Sequence, residues 1–273
     1  MLDPAGNVVP VPNRTKEILQ AGGLAASFNV SRMRTADAAG IGHACGFQWL
    51  FIDLEHNMID PGTAADMCVA ALVTGITPIA RVPGHEHHHA SRMLDAGAQG
   101  IVVPHIDTAE QARAVVRSCL YPPLGDRSLT GALPQLRFQA LPIAQAIELL
   151  NENTLVVVML ETAQAIANAD AIAAVEGVDV LLVGSNDLAA NLGIPGEFGH
   201  ARMRAAYAST IDACRRHGKF AGMGGIYEEA LMAEYIVAGV RFMLGGADVA
   251  FMMAGGKQRA AFLNKLQPAG VKA

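Results

Sequence analysis

Residues 154–184, TLVVVMLETAQAIANADAIAAVEGVDVLLVG, contain two strongly apolar runs separated by an alanine-rich segment. The runs at residues 154–159 and 178–183 are nearly continuous in valine and leucine, a composition typical of parallel strands that are buried on both faces. The segment between them, residues 163–175, has the composition of an amphipathic helix. The stretch therefore predicts a strand, a crossover helix and a second, parallel strand.

The same unit recurs along the chain on both sides of this stretch. Predicted strands cover residues 23–30, 48–53, 77–82, 100–104, 154–161, 178–184, 220–224 and 241–245. Predicted helices cover residues 35–45, 60–74, 88–96, 108–120, 163–175, 202–217, 228–238 and 249–266. Eight strand–helix units in about 250 residues predict an α/β fold, a single-domain (β/α)8 TIM barrel over residues 23–273. Residues 1–22 are expected to form an N-terminal extension.

One interval breaks this pattern. Residues 119–153 hold an extra predicted helix around residues 143–150, and an excursion of this length is often a lid or an interface element. The alternative fold is a doubly wound open sheet, which is expected to carry a glycine-rich phosphate turn after its first strand. Residues 30–33, VSRM, do not form such a turn, and this favours the barrel.

The composition of the chain excludes several classes of protein. With 273 residues, of which 52% are hydrophobic, the chain can bury a large core. It has no unbroken apolar run of about 18 residues, which argues against a membrane span, and its N-terminus lacks the apolar core of a signal peptide. The net charge of −5 and the lack of a basic stripe argue against nucleic-acid binding. Four cysteines without CxxC spacing fit the cytoplasm and argue against a thiolate zinc site.

Two acidic residues follow the apolar runs of the opening stretch, where barrel enzymes carry their active sites. Glu161 ends the first run, and Asp187 lies just beyond the second. A carboxylate at the end of a buried strand needs a positive partner. Two of them at neighbouring strand ends favour a shared Mg²⁺ or Mn²⁺ ion. The alternative is that both acids only stabilise the N-termini of the helices that follow.

An arginine and a histidine stand at the ends of two other predicted strands. The planar fork of Arg81 suits a carboxylate or an enolate oxygen, and the alternative is a salt bridge to Asp53 or Glu55. His56 lies three residues after Asp53, which would orient the imidazole of a general base. Glu55 is expected to face away or to contact a neighbouring subunit. No lysine ends a predicted strand, which disfavours a Schiff-base mechanism.

The histidine-rich tract HEHHH at residues 85–89 allows two interpretations. His85 and His89 have the spacing of two zinc ligands on one helix face. No third ligand follows at a standard spacing, and a tract of this kind is only a compositional signal. A solvated helix start is therefore favoured over a zinc site.

Several short motifs occur in order along the chain. They are FIDLEH at residues 51–56, ARV at 80–82, LDAGAQGIVVP at 94–104, YPPLGDR at 121–127, LET at 160–162 and GSNDL at 184–188. Together they resemble the HpcH/HpaI aldolase family of metal-dependent, class II pyruvate aldolases, within the phosphoenolpyruvate/pyruvate barrel superfamily. The resemblance spans roughly residues 23–246. Any one motif is weak evidence, whereas the whole series at barrel strand ends is strong evidence.

The resemblance implies reversible cleavage of a 4-hydroxy-2-oxo acid to an aldehyde and pyruvate, or a close 2-oxo acid such as hydroxypyruvate. Glu161 and Asp187 would hold the metal, Mg²⁺ or Mn²⁺, with Co²⁺ or Zn²⁺ as alternatives. Arg81 would bind the keto oxygen and stabilise the enolate. His56 would be the base, acting through a water on the metal. Asp53 and Asp95 would orient His56. The pyruvate carboxylate would be held by the backbone of Gly184, Ser185 and Asn186.

Three features of the sequence depart from the usual family pattern. Met159 stands where a glutamine often precedes the metal-binding glutamate by two residues, which puts a polar contact to the keto acid in doubt. Ser185 and Asn186 replace a Pro-Ala pair, and Ser128 replaces a glycine. These last two changes would alter the acceptor pocket. The alternative functions are a citrate-lyase-like enzyme for a CoA thioester, a C–C hydrolase, or a metal-binding barrel without turnover.

The resemblance also implies a homohexamer in which the last helix packs on a neighbour. The segment 248–266 is rich in alanine, methionine and phenylalanine, and a solvated barrel exterior would show a polar face instead. Packing of this helix on its own barrel is the alternative. Symmetric oligomers would repeat such a contact in every subunit.

Overall fold

Eight parallel strands close into a barrel in the computed structural model, which describes residues 9–266. In chain order they are β1 (Ala25–Val30), β2 (Trp49–Asp53), β3 (Thr77–Arg81), β4 (Gly100–Val103), β5 (Leu155–Leu160), β6 (Val180–Gly184), β7 (Phe220–Gly224) and β8 (Val240–Ala247). Each strand pairs with the next, and β8 pairs with β1, so that the sheet is closed. The predicted (β/α)8 barrel is confirmed, and the doubly wound alternative is wrong.

Twelve helices accompany the strands in the described part of the chain. They are α1 (Arg14–Gln20), α2 (Asp37–Ala44), α3 (Pro61–Thr74), α4 (His87–Asp95), α5 (Ala109–Cys119), α6 (Ile143–Asn153), α7 (Ala163–Ala167), α8 (Ala169–Ala173), α9 (Ser185–Asn191), α10 (Ala201–His217), α11 (Glu229–Ala238) and α12 (Asp248–Asn264). The extra helix of the long interval is present as α6. The sequence did not predict α1 or α9, and the helix expected over residues 163–175 is divided into α7 and α8 at Asn168.

Local signals in the sequence fix several helix ends. The Asp60 side chain accepts hydrogen bonds from the first backbone N–H groups of α3, and Gly75 ends that helix with a φ of 87°. Thr108 and Gln111 form a reciprocal capping box at the start of α5. Because such caps set where each helix begins, they also set the length of the loops that leave the strand ends.

Apolar side chains fill the barrel and the layer around it. Inside the barrel, Trp49 stacks on Phe242 with ring centroids 4.2 Å apart, and Phe51 meets Trp49 edge-on. A second, larger cluster lies between the strands and the surrounding helices. Every residue of β2 to β6 is buried, as the apolar runs predict. The packed strands thus form a rigid support for the polar residues at their carboxyl ends.

Helix α1 packs against the amino-terminal end of the barrel. Its Leu19 is fully buried with the side chains of the barrel interior. Asn13, which caps this helix, donates from Nδ2 to the carbonyl oxygens of Gln99 and Asn153 at 2.9 and 2.7 Å. Thr15 donates from its backbone N–H to the Thr77 hydroxyl at 3.1 Å, near the start of β3. The end of the barrel opposite the candidate site is therefore covered.

The division of the chain into an extension, residues 1–22, and a barrel domain, residues 23–273, stays a prediction. Residues 1–8 and 267–273 lie outside the described residues. Between them, none of the helices combines the length and the hydropathy needed to cross a membrane.

The last helix, α12, touches the barrel only near its start. Phe251 lies 5.8 and 5.7 Å from Phe28 and Phe47, measured between ring centroids. Apolar side chains elsewhere on the helix are between 52% and 62% exposed, namely Met252, Met253, Phe262 and Leu263. The alternative in which α12 packs on its own barrel therefore holds only for its beginning, and an apolar surface remains uncovered in the single chain.

Candidate active site

A cavity of about 200 Å³ opens at the carboxyl ends of the strands. Its walls come from the ends of seven strands, β4 being the exception, and from the loops that follow them. Most of the site residues proposed from the sequence line it, namely Asp53, His56, Arg81, Glu161, Gly184, Ser185, Asn186 and Asp187. Asp95 does not line this cavity.

Glu161 and Asp187 stand at adjacent strand ends, as the sequence predicts. Glu161 follows β5 and is only 2% exposed, whereas Asp187 is exposed in the first turn of α9. Burial raises the pKa of Glu161, and the negative charge of Asp187 raises it further. A hydrogen bond from the His105 backbone N–H lowers this pKa, but by less. Gly184 makes the buried position of Glu161 feasible, because a Cβ there would lie 2.7 Å from Glu161 Oε1. Two carboxylates in this setting favour a cation between them.

Arg81 ends β3, and its guanidinium meets two acids. Nε and Nη2 donate to the two oxygens of Asp53 at 2.8 and 2.7 Å, and Nη1 lies 2.8 Å from Glu55 Oε2 in an ion pair. The salt bridge considered as the alternative for Arg81 is therefore present. Burial opposes the charge, but Asp53, Glu55 and Glu161 outweigh it and raise the pKa of Arg81. Two of its five N–H groups donate to Asp53, and Nη1, which is paired by charge with Glu55, donates a weak third bond to Met159 Sδ.

Met159 occupies the position of the glutamine that is usual in the family pattern. It lines the cavity, and its Sδ lies 3.9 Å from Arg81 Nη1. A thioether sulfur is only a weak acceptor. A glutamine would offer a polar contact to the keto acid, whereas Met159 presents an apolar side chain to the cavity beside the guanidinium.

Two residues of the site were not assigned a role from the sequence. The expectation that Glu55 faces away is wrong, because it pairs with Arg81 and its Oε1 lies 3.3 Å from His105 Nε2. His105 Nδ1 in turn lies 2.9 Å from Glu161 Oε2. The only signal for His105 was its place at the end of the fourth predicted strand. Its φ of 56°, which the sequence does not reveal, directs the ring towards Glu161.

His56 stands at the rim of the cavity with its ring 63% exposed. Its Nε2 lies 3.8 Å from Glu55 Oε2, and Asp53 does not contact the imidazole. Instead, the Asp53 carboxylate accepts from Arg81, from the backbone N–H of His56 at 3.4 Å and from Asn57 Nδ2 at 2.7 Å. Asp53 thus positions the loop that carries His56 rather than its ring, because Arg81 is the stronger partner for its charge.

Asp95 ends α4 and is directed away from His56. Its Oδ1 accepts from Arg127 Nη2 at 2.6 Å, and the Arg127 guanidinium lies over the Tyr121 ring, 4.6 Å from its centroid. The role implied for Asp95, orienting His56, is not found within this chain because the carboxylate is engaged by a buried arginine. The pair instead fastens the Pro-Pro loop, which ends at Ser128, to α4.

The segment assigned to the pyruvate carboxylate follows β6. The Ser185 hydroxyl is buried and lies 2.6 Å from Tyr207 Oη, so that only its backbone faces the cavity side. Asn186 is exposed on the cavity wall and packs over Gly225, with Nδ2 3.0 Å from where a Cβ of Gly225 would lie. The replacement of Pro-Ala by Ser-Asn therefore adds an amide to the wall of the site.

The tract at residues 85–89 forms a helix start. Helix α4 begins at His87, and His85 Nε2 lies 2.8 Å from the Pro104 carbonyl oxygen. Over residues 9–266, no three or more His, Cys, Asp or Glu side chains are grouped so that they could hold a metal ion. Helix α4 therefore begins within the tract, and residues 85–88 are exposed, as a solvated helix start predicts. A metal at Glu161 and Asp187 would therefore complete its shell with water and substrate oxygens.

Residues 31–253 match the model of the HpcH/HpaI aldolase/citrate lyase family. The chain belongs to this family. It is 41% identical over 232 residues to a 4-hydroxy-4-methyl-2-oxoglutarate aldolase of Chaetomium globosum, covering 84% of this chain and 86% of the relative. It is 33% identical over 237 residues to a hydroxypyruvate/pyruvate aldolase of Sagittula stellata, covering 85% of this chain and 90% of the relative.

Solved structures agree with this assignment to the HpcH/HpaI family. The crystal structure of an HpcH/HpaI aldolase from Desulfitobacterium hafniense DCB-2 matches with a TM-score of 0.87 and 26% identity, covering 94% of this chain and 98% of that one. The citrate synthase SbnG matches with a TM-score of 0.81 and 28% identity, covering 92% and 97%. The resemblance inferred from the motifs is confirmed, and the chain is a carbon–carbon lyase of the pyruvate-aldolase type.

Proposed function

We propose that this family member reversibly cleaves a 4-hydroxy-2-oxo acid into an aldehyde and pyruvate, or a close 2-oxo acid such as hydroxypyruvate. The observation that carries the proposal is that the charged fork of Arg81 and the Glu161–Asp187 pair line one cavity. Relatives named for 4-hydroxy-4-methyl-2-oxoglutarate and for hydroxypyruvate and pyruvate support the same reaction class.

A divalent metal fits the Glu161–Asp187 pair. The pair offers only oxygen ligands, and the raised pKa of Glu161 shows that a negative charge there needs compensation. Mg²⁺ or Mn²⁺ suits such ligands best, and Co²⁺ or Zn²⁺ is the alternative. When bound, the ion would polarise the 2-oxo group of the substrate. The backbone of Gly184, Ser185 and Asn186 lies beside the pair and would receive the substrate carboxylate.

Different side chains of the protein would carry out proton transfer and charge stabilisation during bond cleavage. His56 Nε2 would take the proton of the 4-hydroxyl group while the C3–C4 bond breaks and the aldehyde leaves. The bonding electrons move towards the 2-oxo oxygen, and the positive charge of the Arg81 guanidinium would stabilise the enolate that develops there. The proton that His56 has taken would then return to C3 of the enolate, which completes pyruvate and leaves the imidazole neutral again. Asp53 holds both Arg81 and the His56 loop, so it links the base to the enolate site.

Proton exchange tests the proposal without knowledge of the aldehyde. In D₂O with Mn²⁺ or Mg²⁺, the protein is expected to replace the methyl protons of pyruvate by deuterium, because enolate formation needs only the 2-oxo acid half. NMR follows the loss of the methyl signal. A citrate-lyase-like enzyme would exchange an acyl-CoA instead, and a metal-binding barrel without turnover would exchange neither. No exchange with any of the four divalent ions would remove the aldolase proposal.

We further propose that the apolar surface of α12 packs on a second copy of the chain, within a homohexamer. Phe262→Glu is expected to reduce the particle mass measured by light scattering towards the 28.6 kDa of one chain, because a charge cannot be buried there without a partner. Val237→Glu is the matched control, since Val237 is an apolar residue on α11 that is 85% exposed. A wild-type protein that is a monomer in solution would contradict this prediction.

We retain the cytoplasm as the proposed location. The supporting observation is that all four cysteines are free thiols, as a reducing compartment would keep them.

A further inference from the structure

One wall of the cavity carries hydrogen-bonding groups that the chemistry at Arg81 and Glu161 does not use. Asn29, at the end of β1, and Tyr227, in the loop between β7 and α11, line this wall. Ser27 lies two residues before Asn29 on the same strand, and both are buried. The pairing of β1 with β8 is irregular between these two residues. Together the three side chains form a hydrogen-bonded series that ends at the cavity.

The hydrogen bonds in this series have one direction. The Gly245 N–H can only donate, and it donates to Ser27 Oγ at 3.3 Å. The Ser27 hydroxyl donates its own proton to Asn29 Oδ1. This contact fixes the orientation of the amide, so that Asn29 Nδ2 donates to Tyr227 Oη at 3.4 Å. The Tyr227 oxygen is therefore an acceptor, and within residues 9–266 no group accepts its proton.

The Tyr227 hydroxyl keeps that proton at neutral pH. Partial burial raises the pKa of the Tyr227 phenol, and the hydrogen bond from Asn29 and the charge of Arg81 only partly oppose this. A protonated hydroxyl that lines a cavity and has no acceptor in the protein is suited to donate to a bound ligand. Tyr227 as a whole is about half exposed, so it contributes little to the core.

The position of Tyr227 determines which half of the substrate it meets. The groups proposed for the 2-oxo acid follow β3, β5 and β6. Tyr227 follows β7, and Asn29 lies near the end of β1. These two strands are the neighbours of β8, on the other side of the mouth. A substrate whose 2-oxo acid half is bound by Arg81 and the carboxylate pair would therefore extend its aldehyde half towards Tyr227.

We propose that Tyr227 determines specificity by donating a hydrogen bond to an oxygen next to the reacting carbonyl of the acceptor. The enzyme then prefers acceptors with a hydroxyl or carboxylate at that position over aliphatic ones. This inference rests on the proposed aldolase function. The Ser27–Asn29 series acts by holding the phenol oxygen as an acceptor, which leaves its proton for the ligand.

Two matched acceptor pairs test the inference, with pyruvate as the donor. Glycolaldehyde and propanal differ by a hydroxyl in place of a methyl group, and glyoxylate and acetaldehyde differ by a carboxylate. For Tyr227→Phe, kcat/KM is expected to fall about 3- to 10-fold with glycolaldehyde, the effect of one neutral hydrogen bond, and to stay level or rise with propanal. With the second pair, Tyr227→Phe is expected to lose more kcat/KM with glyoxylate than with acetaldehyde, because the carboxylate also accepts the hydrogen bond. Ser27→Ala should lower the ratio of kcat/KM with glycolaldehyde to kcat/KM with propanal by a smaller factor, because it frees the Asn29 amide to rotate.

Tyr235→Phe is the control, since it also removes one phenol hydroxyl but one that donates to the Phe198 carbonyl oxygen, outside the cavity. Within each acceptor pair, it is expected to leave the ratio of the two kcat/KM values unchanged. Equal losses with both members of each pair, or no loss at all in Tyr227→Phe, would overturn the inference. So would a wild-type protein that exchanges the protons of pyruvate but shows no preference within either pair. Failure of the wild type to exchange those protons would instead overturn the aldolase function itself.

Discussion

Glu161→Gln is expected to lower aldol turnover by about 10³-fold, the cost of losing one group that stabilises developing charge, while the barrel stays folded. Glutamine keeps the shape of the side chain and an oxygen that can accept from the His105 N–H, at 2.8 Å in the wild type. It removes the negative charge and replaces one of the two carboxylate oxygens by an NH₂ group. Because burial raises the pKa of Glu161, that charge is unfavourable in the metal-free protein, so the variant should melt no lower than the wild type. Steady-state kinetics and thermal melts measure the two effects.

Metal-dependent melting gives a second readout for the same change. Binding of Mn²⁺ at 100 times its Kd would stabilise the wild type by about 2.7 kcal/mol. Glu161→Gln and Asp187→Asn are expected to lose most of this stabilisation, because each acid supplies charge to the ion and little to the core. Glu152→Gln, an exposed acid on α6, should keep both turnover and the shift. Near-normal turnover and a normal Mn²⁺ shift in Glu161→Gln would place the metal elsewhere.

The fold could be predicted because buried parallel strands are apolar on both faces. Residues 155–160 and 180–184 carry this signal without interruption, and the structure has strands there. The missed helices lacked a comparable signal. Helix α9 is only seven residues long and begins directly at the end of β6, where the sequence is SND. Helix α1 has only Thr15 and Leu19 buried, a contact that depends on the barrel being already closed.

The site could be predicted only to the level of which strand ends carry polar residues. Glu161, Asp187 and Arg81 follow directly from that rule, since a barrel brings the carboxyl ends of its strands to one mouth. The direction in which a loop side chain points is set by backbone angles and by competition between partners. Glu55 turns towards Arg81, 2.8 Å from its Nη1, and Asp95 is held by Arg127 instead of facing the cavity. Neither arginine can be matched to its acid from spacing alone.

Arg81→Lys is expected to be nearly as inactive as Arg81→Ala, with kcat/KM reduced by about 10²- to 10³-fold. The guanidinium binds both oxygens of Asp53, faces Glu55 and stacks near the Phe51 ring, with Cζ 5.3 Å from its centroid. An ammonium group has three N–H donors around one point charge, so it cannot reproduce the planar two-pronged contact with Asp53 while also reaching Glu55. Arg81→Ala leaves the buried Asp53 carboxylate without its partner, which costs about 3–5 kcal/mol, so the melting temperature of that variant should fall as well.

Arg204→Lys is the matched control for this experiment. Arg204 forms the same two-pronged contact with Glu234, at 2.5 and 3.0 Å, but on the surface. Exposed ion pairs contribute about 0–1 kcal/mol, so neither turnover nor melting should change appreciably. Wild-type turnover in Arg81→Lys would mean that positive charge alone suffices and that the fork serves only the salt bridge to Asp53 and Glu55. Because pyruvate proton exchange reports on the enolate alone, a loss of exchange in this variant would tie the fork to the 2-oxo oxygen rather than to the aldehyde half.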